Sequence, residues 1–143
     1  MTLRERALRL LARREHSRAE LARKLTAYAE TADIEPLLDV LEREGLLSEP
    51  RYVEAQARAH AGRHGSLRLK HTLQRQGVTG DLAERAIQQA RADDLASCRA
   101  LWQRKYGKPP ADPKEKARQY RFLLGRGYPA DVVARVLGAA EDD

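Results

Sequence analysis

The 143-residue chain is 42% hydrophobic, 34% charged and 5% aromatic, with a mean hydropathy of −0.68. It has no apolar run approaching the roughly 20 residues a membrane-spanning helix needs. The single cysteine, Cys98, excludes an intrachain disulfide and a zinc site of the cysteine-pair kind. The charged opening Met1-Thr2-Leu3-Arg4-Glu5-Arg6 lacks the apolar core of a secretory signal, so the sequence reads as a soluble cytoplasmic domain or a short array of repeats.

Leu, Ala, Arg, Glu and Gln dominate, and no stretch alternates apolar and polar residues over the length of a strand, which points to an all-α fold. Thr2-x-x-Glu5 is a capping box opening a first helix over 3–14, and Ser17-x-x-Glu20 is another opening a second over 18–28. A third helix over 34–44 stops at Gly45. Ser48 is a candidate N-cap for a fourth over 49–63, and Ser66 for a fifth over 67–76 that stops at Gly77. Thr79 is a candidate N-cap for a sixth over 80–91, followed by a seventh over 94–106 that stops at Gly107. Asp112-Pro113-x-Glu115 opens an eighth over 113–126, with proline at its first position, and Gly127 ends it before a ninth over 130–140.

The nine predicted helices repeat. The segment 76–87 aligns without gaps on 126–137, with Gly77/Gly127, Asp81/Asp131 and Arg85/Arg135 identical and Val78/Tyr128, Leu82/Val132, Ala86/Val136 and Ile87/Leu137 alike in kind. Leu21, Leu25, Ile34, Leu37, Leu38 and Leu41 form a weaker first copy. The expectation is three tandem three-helix repeats, 1–47, 48–92 and 93–143, in an elongated, curved array, the last carrying a short acidic tail. The apolar stripes are narrow, and Cys98, Leu101 and Trp102 read as core.

Charge is unevenly spread. Residues 1–50 carry 9 basic and 10 acidic side chains, whereas residues 51–126 carry 17 and 7, so the formal charge of +6 is concentrated in the middle. The fifth predicted helix holds Arg68, Lys70 and Arg75, and the eighth holds Arg118, Arg121 and Arg126, with Arg104 and Lys105 shortly before it. If the repeats superpose, these side chains form one basic stripe, suited to phosphates or to an acidic protein groove. An arginine-favouring genome explains part of the excess, since Arg outnumbers Lys 21 to 6. Aromatic residues are few, leaving little for base stacking.

No phosphate-binding loop, dinucleotide fingerprint or nucleophile elbow occurs, so no catalytic residue, cofactor or enzyme activity is expected. His60 and His64 lie four apart without a third ligand, and read as exposed surface histidines rather than a metal site. Nothing in the pattern supplies a dimer seam, so a monomer is expected.

The order and spacing of several segments resemble the RecX family, regulators of the bacterial RecA recombinase. They are Glu44-Gly45-Leu46-Leu47-Ser48-Glu49-Pro50-Arg51-Tyr52-Val53, Gly65-Ser66-Leu67-Arg68-Leu69-Lys70 and Leu73-Gln74-Arg75-Gln76-Gly77-Val78. His16-Ser17-Arg18-Ala19-Glu20-Leu21 near the start and Leu123-Leu124-Gly125-Arg126-Gly127-Tyr128 near the end fit the same pattern. Ser48-Glu49-Pro50 departs from it, since the family more often has an Asp before the Arg-aromatic pair. The resemblance implies a curved array of three-helix repeats that binds the RecA filament on DNA, lies in its groove, and limits ATP hydrolysis and strand exchange in recombination, DNA repair and the SOS response. The basic stripe would contact the filament, the DNA or both, with weak, salt-sensitive binding to single- or double-stranded DNA. A stand-alone basic DNA-binding protein is the alternative, and a helical adaptor for an unrelated partner is a third.

Overall fold

The structure, a computed structural model, describes residues 1–142, and those residues form eight α-helices and no strand. They are α1 (Leu3–Arg13), α2 (Arg18–Leu25), α3 (Thr31–Arg43), α4 (Glu49–His60), α5 (Ser66–Arg75), α6 (Asp81–Lys105), α7 (Pro113–Gly125) and α8 (Ala130–Asp142). Asp143, the end of the expected acidic tail, lies outside the described residues.

Local signals set most of the boundaries. Thr2 and Glu5 form the full capping box, and the hydroxyl of Ser48 and the carboxylate of Asp112 each accept from a backbone N–H in the first turn of α4 and α7. Three expectations need correction. Glu20 does not return to the Ser17 backbone; its buried carboxylate pairs with Arg14 instead. Ser66 is not an N-cap. Gly65 takes that position, and the Ser66 backbone N–H and hydroxyl both donate to the Asp94 carboxylate, the former at 2.9 Å. Thr79 caps nothing, because α6 starts after Gly80.

The largest correction is that the sixth and seventh predicted helices are one 25-residue helix, α6. Neither glycine nor proline interrupts residues 81–105, and Ala, Arg, Gln and Leu carry the helix through. Asp94, the residue best suited to a helix start in that stretch, lends its carboxylate to the first turn of α5 instead. At a rise of 1.5 Å per residue α6 is about 37 Å long.

Buried side chains gather in three clusters. Ala7, Leu21, Leu25, Leu38 and Leu41 belong to one formed by α1–α3, and Tyr52, Leu69, Leu73, Ala83 and Ile87 to one formed by α4, α5 and the first half of α6. Cys98, Trp102, Leu123, Tyr128 and Val133 belong to the third, formed by the second half of α6 with α7 and α8. A buried and a half-buried polar bond hold the third cluster in register: the Trp102 indole N–H donates to Gln119 at 2.9 Å, and the Tyr128 and Ser97 hydroxyls lie 2.7 Å apart. The accessible surface of 8737 Å² exceeds the roughly 7,500 Å² of a compact monomer of this mass, as a drawn-out array requires.

The clusters are joined by one contact used twice. At the first junction the Ser17 hydroxyl donates to the Gln76 carbonyl at 2.7 Å, and a Cβ on Gly77 would lie 2.8 Å from the Cβ of Ala19. At the second, Gly65 N–H donates to Arg126 O at 2.8 Å and Leu67 N–H to Gly127 O at 3.1 Å, while a Cβ on Gly127 would run into Arg68. In both cases the start of one middle helix seats on the glycine turn that ends the next. Gly77 (φ 73°) and Gly127 (φ 90°) occupy the left-handed region, and only a hydrogen in place of the side chain leaves room for that approach. Small cores of this kind are marginal alone, so these junctions are part of what stabilises the chain.

Candidate polyanion interface

The predicted basic residues fall into two groups. On α5, Arg68 and Arg75 flank an open groove with His71 and the partly exposed Leu67 and Leu124, the last contributed by α7. Arg68 donates to the Gly125 carbonyl at 3.3 Å, so its guanidinium bridges α5 to the end of α7. Arg118 and Arg121 lie three residues apart on α7, both exposed. Lys70 is half-buried beside the buried Leu69.

The second group surrounds the segment between α4 and α5. Arg104 donates to the Gly62 carbonyl at 2.8 Å, and Arg126 donates to the Arg63 carbonyl at 3.3 Å. Lys105 and Arg126 both lie against the Phe122 ring, 4.7 and 5.0 Å from its centroid. These cations tie the second cluster to the third as well as charging its surface. Among the described residues, Arg118 is the only member of the predicted stripe with a carboxylate within salt-bridge distance, Glu115 at 3.1 Å. The other seven have no such partner there, an arrangement that favours an anion brought from outside.

His60 and His64 are half-buried, which corrects their expected exposure. Their rings stand 5.2 Å apart at the edge of a cavity of about 230 Å³ between α4 and α6, where Asp94 and Ser97 also reach the lining. His60 holds the Gln56 carbonyl at 2.8 Å, whereas His64 Nδ1 is buried with no partner. Burial, then the charges of Arg68, His60, Arg126 and Arg63, pulls the His64 pKa below the ordinary histidine value. Arg63 thus joins Arg68 and Arg126 at the second junction, a neighbour that linear spacing does not reveal. No three His, Cys, Asp or Glu side chains among the described residues are placed to hold a metal ion. Cys98 is fully buried, and its thiol is pushed up to about 12 by that burial.

His16 is a second neutral histidine. Its Nε2 accepts from the Lys24 ammonium at 3.0 Å, so Nδ1 carries the proton and donates to the Arg14 carbonyl at 3.1 Å. Burial lowers its pKa, against the opposing pull of the Arg14 carbonyl and Glu20. With both folded-state values depressed, the unfolded chain takes up these protons first as pH falls. Stability is then full above about pH 6.5 and lost progressively below it. The urea midpoint is expected to drop between about pH 7.5 and pH 5.5, and His64→Gln to remove part of that slope. A midpoint that holds or rises over this window would contradict the neutral assignment.

The fold and this face define an all-α chain of three linked helical clusters, the second and third carrying a basic surface. The chain belongs to the RecX family. The family's model of the RecX first three-helix domain matches residues 4–41, and that of the third matches residues 92–137. The chain is 46% identical to the regulatory protein RecX of Leptothrix cholodnii, covering 100% of this chain and 92% of that protein. It is 42% identical to that of Ralstonia nicotianae, covering 99% and 89%. A crystal structure of RecX from Lactobacillus salivarius shares the fold with a TM-score of 0.70 at 17% identity, covering 99% of this chain and 96% of that one. No described helix is long and apolar enough to cross a membrane.

Proposed function

We propose that this chain is a cytoplasmic, monomeric regulator of the RecA recombinase, built as three repeats over 1–47, 48–92 and 93–143. It binds the recombinase–DNA filament in its groove and limits ATP hydrolysis and strand exchange, and through them recombination, repair and the SOS response. The observation that carries this reading is the face shared by α5 and α7. Arg68 and Arg75 there are exposed and lack carboxylate partners among the described residues, and Leu67 and Leu124 give the face an apolar centre; Arg121, three residues before Leu124 on α7, is exposed and likewise without such a partner. Guanidinium forks on a rigid helix suit phosphate and carboxylate oxygens of a nucleoprotein surface. The protein acts by occupying that surface and has no catalytic role of its own.

The test is the single-stranded-DNA-dependent ATPase of the cognate recombinase with this protein added below stoichiometry. A clear fall in rate is expected, because a protein that merely masks DNA has to approach saturation before it slows the reaction. No effect at excess, together with tight binding to naked DNA, would replace this reading with that of a stand-alone DNA-binding protein.

A further inference from the structure

We propose that α1 and the end of α2 form a separate binding surface for single-stranded nucleic acid, made by Arg6, Arg9, Arg13 and Tyr28. The three arginines sit at i, i+3 and i+7 of α1 and therefore share one face. Together with Leu10, Lys24 and Tyr28 they line one shallow depression. None of the three has a carboxylate within salt-bridge distance among the described residues. Lys24, at the border, lies 3.6 Å from Glu20.

The near-neutral charge of the first 50 residues hides this surface. Three carboxylates of α3 and the one just past its end are engaged elsewhere: Glu35, Asp39 and Glu42 surround Arg18 at 2.5, 2.9 and 2.7 Å, and Glu44 holds Arg4 at 2.6 Å. Glu5 is taken by the Thr2 backbone at 3.1 Å. Folding thus sorts the two signs of charge, leaving α1 with an unneutralised cationic face.

Tyr28 selects the kind of anion. It is 57% exposed, and every other Phe, Tyr and Trp ring among the described residues is half-buried or buried. The Arg6 guanidinium lies 3.8 Å from its ring centroid, fixing the ring beside the cations. Arg6 to Arg13 spans about 10 Å of helix axis, a row of charge long enough to follow the backbone of a short run of nucleotides. A fixed ring next to a row of guanidinium groups holds an unpaired base while the arginines hold its backbone. An acidic protein surface would use the charges and leave the ring without a purpose.

Binding of a fluorescent oligothymidine, followed by anisotropy across a salt series, tests this. Arg6→Gln/Arg9→Gln/Arg13→Gln is expected to weaken binding roughly tenfold and to flatten the log–log salt slope by about 2. Tyr28→Leu, which keeps apolar packing under Arg6, is expected to lose roughly fivefold on the single strand and nothing on duplex, while Tyr28→Phe retains full affinity. Circular dichroism establishes that each variant is folded. An unchanged affinity and slope in the triple variant overturns the proposal, and so does an equal loss on single strand and duplex with Tyr28→Leu. A triple variant that binds DNA normally but binds recombinase poorly also overturns it, by making this a protein contact. None of these substitutions touches the α5–α7 face, so the two readings fail separately.

Discussion

Gly65→Ala is expected to destabilise the chain by about 3 kcal/mol or more and to part the second cluster from the third. The cause is space alone. Gly65 has ordinary extended backbone, φ −86° and ψ 175°, which alanine adopts freely. A Cβ there would lie 2.6 Å from the carbonyl carbon of Gly127 and 2.7 Å from the Cα of Tyr128. Both are main-chain atoms, which no rotamer change can move. Relief requires withdrawal of the α5 start from the turn after α7, and that withdrawal breaks the 2.8 Å and 3.1 Å bonds to Arg126 and Gly127. Gly138→Ala is the matched control. It lies inside α8, a Cβ there meets nothing within 4 Å, and a gain of about 0.5–1 kcal/mol is expected from helix propensity. Urea unfolding followed by near-ultraviolet circular dichroism of Trp102, in the third cluster, compares the two. An unchanged midpoint for Gly65→Ala would show that the close seat is not needed.

Reversing Arg68, Arg75, Arg118 and Arg121 to glutamate is expected to weaken binding to recombinase–DNA filaments by roughly a hundredfold or more at moderate salt. The fold should tolerate it. All four side chains are exposed, and the one ion pair lost, Arg118 to Glu115, is a surface pair of the kind worth no more than about 1 kcal/mol. Arg68 loses a 3.3 Å bond at the weak limit of the range but keeps its backbone in the junction. The binding loss comes from replacing four attractive contacts with four repulsive ones, and the salt dependence should shrink with it. Co-sedimentation with filaments over a salt series reads both. Retained affinity in a folded variant would remove this face from the interface.

Helix positions were largely legible from sequence because their causes are local. Gly45, Gly77, Gly107 and Gly127 all take positive φ where the chain must turn, and Thr2, Ser48 and Asp112 cap as their spacing suggests. What escaped depends on groups far apart in sequence. Asp94 and Ser66 are 28 residues apart, and nothing near Asp94 says that its carboxylate serves another helix. The same holds for the half-buried His60 and His64. The matched segments 76–87 and 126–137 did carry the junction's glycine turns, but not the helix starts that seat on them. The cationic face of α1 was invisible to a count by segment, because only the fold directs Glu35, Asp39 and Glu42 to Arg18 and leaves Arg6, Arg9 and Arg13 unpaired among the described residues.

The continuity of α6 bears on how the molecule comes apart. Ala83 and Ile87 sit in the second core and Cys98, Leu101 and Trp102 in the third, with no flexible linker between them. Fraying either core exposes one half of the same rod, so these two regions are expected to melt as a single cooperative unit. The first core has no shared helix. Its ties to the second are individual hydrogen bonds and ion pairs, among them Ser17 to Gln76, Arg23 to Gln76 and Arg51 to Glu15. Its amides should therefore exchange with solvent through an earlier, partial opening, leaving the α4–α8 body folded behind it.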